Sequence, residues 1–95
     1  MSPSRKFTLE EARQIGQQIG ADFSEVDLQE FCDGLSVELE HGARDPQTNV
    51  TNDDLYLTGK IALAHLKEFA DYYTRLDKME KEADAYWAAK KQASP

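Results

Sequence analysis

Two short patterns in this chain hold side chains that could do chemistry together, Glu38-x-x-His41 and His65-x-x-Glu68. Residues three apart on a helix share a face, so each pair can offer one oxygen and one nitrogen to a single ion. Helical bundles build carboxylate metal sites from Glu-x-x-His pairs. A mixed carboxylate and imidazole set suits zinc, iron or manganese. His41 and His65 are the only histidines in the sequence. They meet only under a geometric condition. His41 ends its helix and His65 lies at least two turns into the next. In a tight antiparallel hairpin the two would stand ~10–20 Å apart along the axis, at a rise of ~1.5 Å per residue. A strong crossing angle or a folded-back loop is required. The competing reading makes His65 a core residue hydrogen-bonded to a tyrosine or carboxylate, and His41 a residue suited to a helix C-terminus.

Other patterns carry less. Asp45, Gln47, Asn49, Thr51 and Asp53 put oxygen-bearing side chains at alternating positions between two helices, as in the first part of a calcium loop. Val50 stands where such a loop needs glycine and Tyr56 where it needs a bidentate glutamate, so a loop held by Asx turns is the better expectation. Thr58-Gly59-Lys60 lacks the upstream glycines of a phosphate loop. In Asp71-Tyr72-Tyr73-Thr74-Arg75-Leu76 the adjacent tyrosines face different ways, so one packs and the other can reach a polar partner. Cys32, the single cysteine, sits among apolar and acidic neighbours that do not activate a thiol. No Ser-His-Asp, Cys-His or paired-carboxylate arrangement stands out, and no catalytic residue is assigned.

The elements that position these residues are helical. Thr8 and Glu11 form a capping box, with Phe7 stapled onto Ala12; Leu9, Ala12, Ile15 and Ile19 keep helical spacing, and Gly20 supplies a stop. A second helix starts at Asp27, with Glu30 completing another capping box. It carries the stripe Leu28, Phe31, Cys32, Leu35 and Leu39 and ends at Gly42. Gly34 in mid-helix loses about 1 kcal/mol relative to alanine, so it marks a close approach by another element. After a loop over 43–52, a third helix starts between Thr51 and Thr58, with Thr51 or Asn52 as its cap, and runs to Phe69. Its stripe is Ile61, Ala62, His65, Leu66 and Phe69. A fourth covers about 71–91, with Tyr72, Leu76, Met79, Ala83 and Tyr86 spaced as a packing seam. Tyr86 and Trp87 project beyond the bundle as a partner-binding surface. The fold class is all-α, a compact three- to four-helix domain over 7–92, with tails at 1–6, disordered, and 93–95.

Charge and composition narrow the function further. The net charge of −7 is concentrated in residues 21–57, which carry ten acidic groups and a single basic one, Arg44. Such a segment repels phosphate backbones, which argues against nucleic acid as a partner, and favours cations or a basic protein. The N-terminus has no apolar stretch after its charges, and no run approaches a membrane span. With one cysteine, these features predict a cytoplasmic protein.

The blocks Glu38-Leu39-Glu40-His41, Ala64-His65-Leu66-Lys67-Glu68 and Asp71-Tyr72-Tyr73 resemble a small family of bacterial and phage-associated proteins classed as a domain of unknown function. The resemblance covers roughly residues 7–80. Ala70 stands where a proline often precedes the Asp-Tyr-Tyr block. The resemblance implies that the Glu and His blocks belong to a family pattern, and that the protein resides in a bacterial or host cytoplasm or a virion. It implies no activity.

The expected function is a helical protein-interaction or structural module acting through a protein partner or self-association. The alternative is a metal-binding module using Glu38, His41, His65 and Glu68, and an enzyme ranks third.

Overall fold

The computed structural model describes residues 6–93; of the expected tails at 1–6 and 93–95, residues 1–5 and 94–95 lie outside the described residues, and Ala93 is the last residue of the fourth helix. Four helices follow in order: α1 (Leu9–Gln18), α2 (Leu28–Arg44), α3 (Leu55–Glu68) and α4 (Tyr72–Ala93), and no strand occurs among the described residues. No described helix is long and apolar enough to cross a membrane.

Local chemistry sets the starts of the helices. The Thr8 hydroxyl accepts from the Glu11 N–H at 3.1 Å and the Glu11 carboxylate accepts from the Thr8 N–H at 2.9 Å, the expected reciprocal capping box. Gly20 takes a left-handed φ of 81° just past the end of α1, a conformation that is easy for glycine. Asp27 caps α2 through the Glu30 N–H. Glu30, however, does not reach back. Its Oε1 accepts from the backbone N–H groups of Tyr73 and Thr74 at 3.1 and 3.3 Å, and its Oε2 accepts from the Thr74 hydroxyl. A side chain expected to finish its own helix therefore caps another one, because the first turn of α4 brings unsatisfied N–H groups and a positive dipole end against it.

Two boundaries also depart from expectation. Helix α2 runs through Gly42 to Arg44 rather than stopping at the glycine. The cap of α3 is Asp54, which accepts from Tyr56 and Leu57 N–H, not Thr51 or Asn52. Asn52 and Asp53 instead turn through left-handed φ angles of 48° and 66°, reversing the chain just before that cap. The loop holds itself together as an Asx-turn loop, with Asp45 accepting from Gln47 N–H and Asn49 from Asn52 N–H.

The core lies between α1, α2 and α3. Phe31, Leu35, Ala12 and Ala62 are fully buried and are joined by Ile15, Cys32 and Leu66. Phe23, from the α1–α2 connection, packs edge-on against Phe31 with ring centroids 5.5 Å apart. The Cys32 thiol donates to the Phe7 carbonyl at 3.1 Å, and burial, reinforced by Asp33 and Glu11, pushes its pKa up. This is the unactivated core cysteine its neighbours foretold.

Helix α4 is positioned differently from the other three. Gly34 meets Tyr73 and His41 meets Glu80, while Val37, Arg44 and Trp87 line one groove. Both partners advance together along the chain, so α4 runs parallel to α2. The expected seam of Tyr72, Leu76, Met79, Ala83 and Tyr86 is not buried within the chain. Only Tyr73 of α4 is fully packed, Tyr72 and Leu76 are half-buried, and every residue from Lys81 to Lys91 is exposed. Helix α2 ends before the distal half of α4, which no described element covers. The molecule is accordingly elongated, 51 × 25 × 21 Å.

Candidate functional site

The two Glu/His patterns converge at Glu38. This side chain is turned inward from the middle of α2, and the residue is only 9% exposed. Its Oε2 accepts the Tyr73 O–H at 2.7 Å. His65 Nε2 lies 3.5 Å from that same oxygen, and His41 Nδ1 lies 3.9 Å from Oε1. The distal His41 nitrogen faces Glu80 Oε2 of α4 at 3.3 Å. His65 Nδ1 faces the largely exposed Glu68 at 3.6 Å, within ion-pair reach but beyond a hydrogen bond. His65 also stacks on Tyr72, with centroids 4.3 Å apart and planes 11° from parallel.

The gap expected between the two histidines is bridged by Glu38, which stands between them, one turn back from His41. Glu38, His41, His65 and Glu68 form a line rather than a cage. Each nitrogen of His41 has a different carboxylate neighbour, and so does each nitrogen of His65. Among the described residues no group of three or more His, Cys, Asp or Glu side chains is placed to hold a metal ion.

Tyr73 carries more of the site than its place in the Asp-Tyr-Tyr block shows. Both roles expected of the tyrosine pair, packing and polar contact, fall on it. Its ring lies on Gly34, where a Cβ would come within 2.4 Å of Cε2, and its hydroxyl holds Glu38. A glycine in mid-helix and an aromatic residue at the start of a later helix were the available signals. Burial, then the hydrogen bond to Glu38, then the nearby charge of that carboxylate push the Tyr73 phenol far above its ordinary range. The folded protein thus keeps this proton at pH values where the unfolded chain, with a tyrosine pKa of about 10, has released it. Stability is complete below about pH 10 and falls above it, by up to ~1.4 kcal/mol per pH unit from this group. Urea melts between neutral pH and the alkaline transition are expected to show that slope, and Tyr73→Phe is expected to flatten it.

Beside the cluster, the C-terminal half of α2, the following loop and Ile61 of α3 enclose an open cleft of about 330 Å³, with Glu38 and His41 in its wall. The Thr51 hydroxyl, buried against Gly42 in the same wall, has no hydrogen-bond partner. Tyr86 and Trp87 lie away from this cluster, on the distal half of α4, 56% and 62% exposed. Their ring centroids lie 5.0 Å apart, edge-on, and Trp87 edges a second, smaller groove between α4 and α2.

The fold and the site define a small four-helix domain with a buried carboxylate and tyrosine flanked by two half-exposed histidines, and a fourth helix whose distal half is exposed. The chain belongs to the DUF5661 family, proteins of unknown function, whose family model matches residues 12–82. No curated protein and no solved structure matches it. The matched span includes the whole Glu38 cluster and stops before Tyr86 and Trp87.

Proposed function

We propose that this protein is an interaction module that self-associates through the distal half of α4. The observation that carries this reading is the uncovered seam. Met79, Tyr86 and Trp87 are each more than half exposed on a helix whose residues 81–91 are all exposed among the described residues. Large side chains exposed together mark interaction surfaces more often than isolated ones do. Their spacing, with Ala83 between Met79 and Tyr86, is that of a two-helix seam.

Charge favours a second copy as the occupant. Residues 77–84 hold four carboxylates, Asp77, Glu80, Glu82 and Asp84, against two lysines, whereas residues 85–91 hold only Lys90 and Lys91. An antiparallel pair of α4 helices sets each basic end against the partner's acidic stretch. Ala83 lets the backbones approach.

Light scattering behind size exclusion, over a micromolar-to-millimolar dilution series, is expected to show mass rising from one chain towards two. Trp87→Glu is expected to hold the protein at one chain without lowering its melting temperature by more than a few degrees, because the residue packs on little within the monomer. A wild-type protein that stays monomeric throughout would rule out self-association and leave a different protein as the partner.

A further inference from the structure

We propose that the cleft between the C-terminal half of α2, the α2–α3 loop and α3 binds a small primary ammonium group carried on a short alkyl stem. This site is independent of the α4 surface. Its polar wall presents two groups that the fold leaves incomplete. One is the Oε1 edge of Glu38, a carboxylate nine-tenths buried, which His41 Nδ1 approaches only to 3.9 Å, too far for a hydrogen bond. The other is the Thr51 hydroxyl, 3% exposed as a residue and without a partner. Gly42 makes room for that hydroxyl, since a Cβ there would come within 2.6 Å of Oγ1. Leaving a buried hydroxyl unsatisfied is unfavourable, so a ligand that completes Thr51 and sets its positive charge against Glu38 has a driving force.

The chemistry of the wall selects the ligand class. A carboxylate, a hydroxyl and an imidazole nitrogen can all accept hydrogen bonds, and an ammonium brings three N–H donors and the matching charge. Anions are disfavoured by Glu38 and by Asp45 at the rim. The one cation there, Arg44, bonds Glu40 at 3.2 Å. A metal ion is a poorer fit, because no three metal-ligating side chains converge among the described residues. Val50 and Ile61 add apolar wall for a hydrocarbon stem, and a volume of about 330 Å³ suits a small molecule.

The test is a backbone-amide NMR titration of the full chain with n-butylammonium chloride at constant ionic strength. The expected result is saturable binding with a Kd in roughly the millimolar range, as its few atoms allow. The shifts should centre on Gly42, Thr51 and Ile61 and leave Gly16 and Gly20 unmoved. Glu38→Gln and Thr51→Val are each expected to weaken binding by about tenfold or more, the loss of one good polar contact. If Glu38→Gln does not fold, Thr51→Val, which keeps the shape of the side chain, carries the test alone. Nα-acetyl-lysine methylamide in a parallel titration separates a peptide-borne ammonium, which it would mimic better, from a free amine; either ranking supports the site. Equal binding of 1-pentanol would overturn the proposal by showing an apolar cleft only. So would shifts that spread over the acidic surface and vanish with salt, or zinc chloride moving the same amides where butylammonium does not.

Discussion

Phe31→Ala is expected to remove ~3–5 kcal/mol of stability, the range for truncating a fully buried phenylalanine. Phe31 has no exposed surface and packs edge-on against Phe23, and its ring tip lies 3.6 Å from where a Cβ on Gly59 would be. It therefore joins α2 to the α1–α2 connection and to α3 at once, and no neighbour can relax into the space without breaking one of those contacts. A 95-residue domain at ~0.05–0.15 kcal/mol per residue has ~5–14 kcal/mol in all, so the variant stands near the edge of folding. Urea unfolding followed by circular dichroism and by tryptophan fluorescence checks it. Met79→Ala, measured under monomeric conditions, is the contrast. Its side chain is 58% exposed, so a change within about 0.5 kcal/mol is expected. A Met79 effect as large as that of Phe31 would mean that the α4 seam is packed within the chain after all.

Gly34→Leu is expected to undock α4 and to destabilise the protein by more than ~3 kcal/mol, above the usual range for overpacking. Three effects compete. Replacing glycine inside a helix gains about 1 kcal/mol of propensity. Against that, the new Cβ would sit 2.4 Å from Tyr73 Cε2 and 2.9 Å from Cδ2 and Cζ, so the ring must leave. When it leaves, Glu38 loses the phenol that holds its Oε2. A hydrogen bond to a charged group is worth ~1.5–3 kcal/mol, so steric displacement and lost polar contact together outweigh propensity. The double variant Gly34→Leu with Tyr73→Ala makes the cause visible. If the ring is the obstacle, the second substitution costs far less in the Gly34→Leu background than alone, a coupling readable in a double-mutant cycle. Purely additive losses would show that Gly34 matters for some other reason.

Much of the architecture was legible because it rests on local rules. The capping box of Thr8 and Glu11, the stop at Gly20 and the cap at Asp27 need only a few consecutive residues, and all three appear. The α2 stripe was also readable, since burial of Phe31, Cys32 and Leu35 follows from helical spacing alone. Reading a helix end at Gly42 failed for a tertiary reason. The glycine serves Thr51, which packs on it from the following loop, and that partner is invisible in the local sequence. Glu30 misled in the same way, as its carboxylate had two sets of unsatisfied N–H groups within reach and took those of the distant helix.

The site divides along the same line. Helical spacing by itself determined that Glu38 and His41 share one face of a helix and that His65 and Glu68 share another, because three-residue separation on a helix is a property of the backbone. It also determined the seam spacing of Tyr72, Leu76, Met79, Ala83 and Tyr86 on α4, though not that its distal part would stay exposed. Only the tertiary structure decided that Glu38 would stand between the two histidines, that Tyr73 and not Tyr72 would bond it, and that Glu80 would reach His41. Each of those contacts joins residues at least 27 positions apart. They depend on how α2, α3 and α4 cross, which is set by the sum of core packing and by Gly34 admitting a ring, and no stretch of sequence shorter than the domain contains that information.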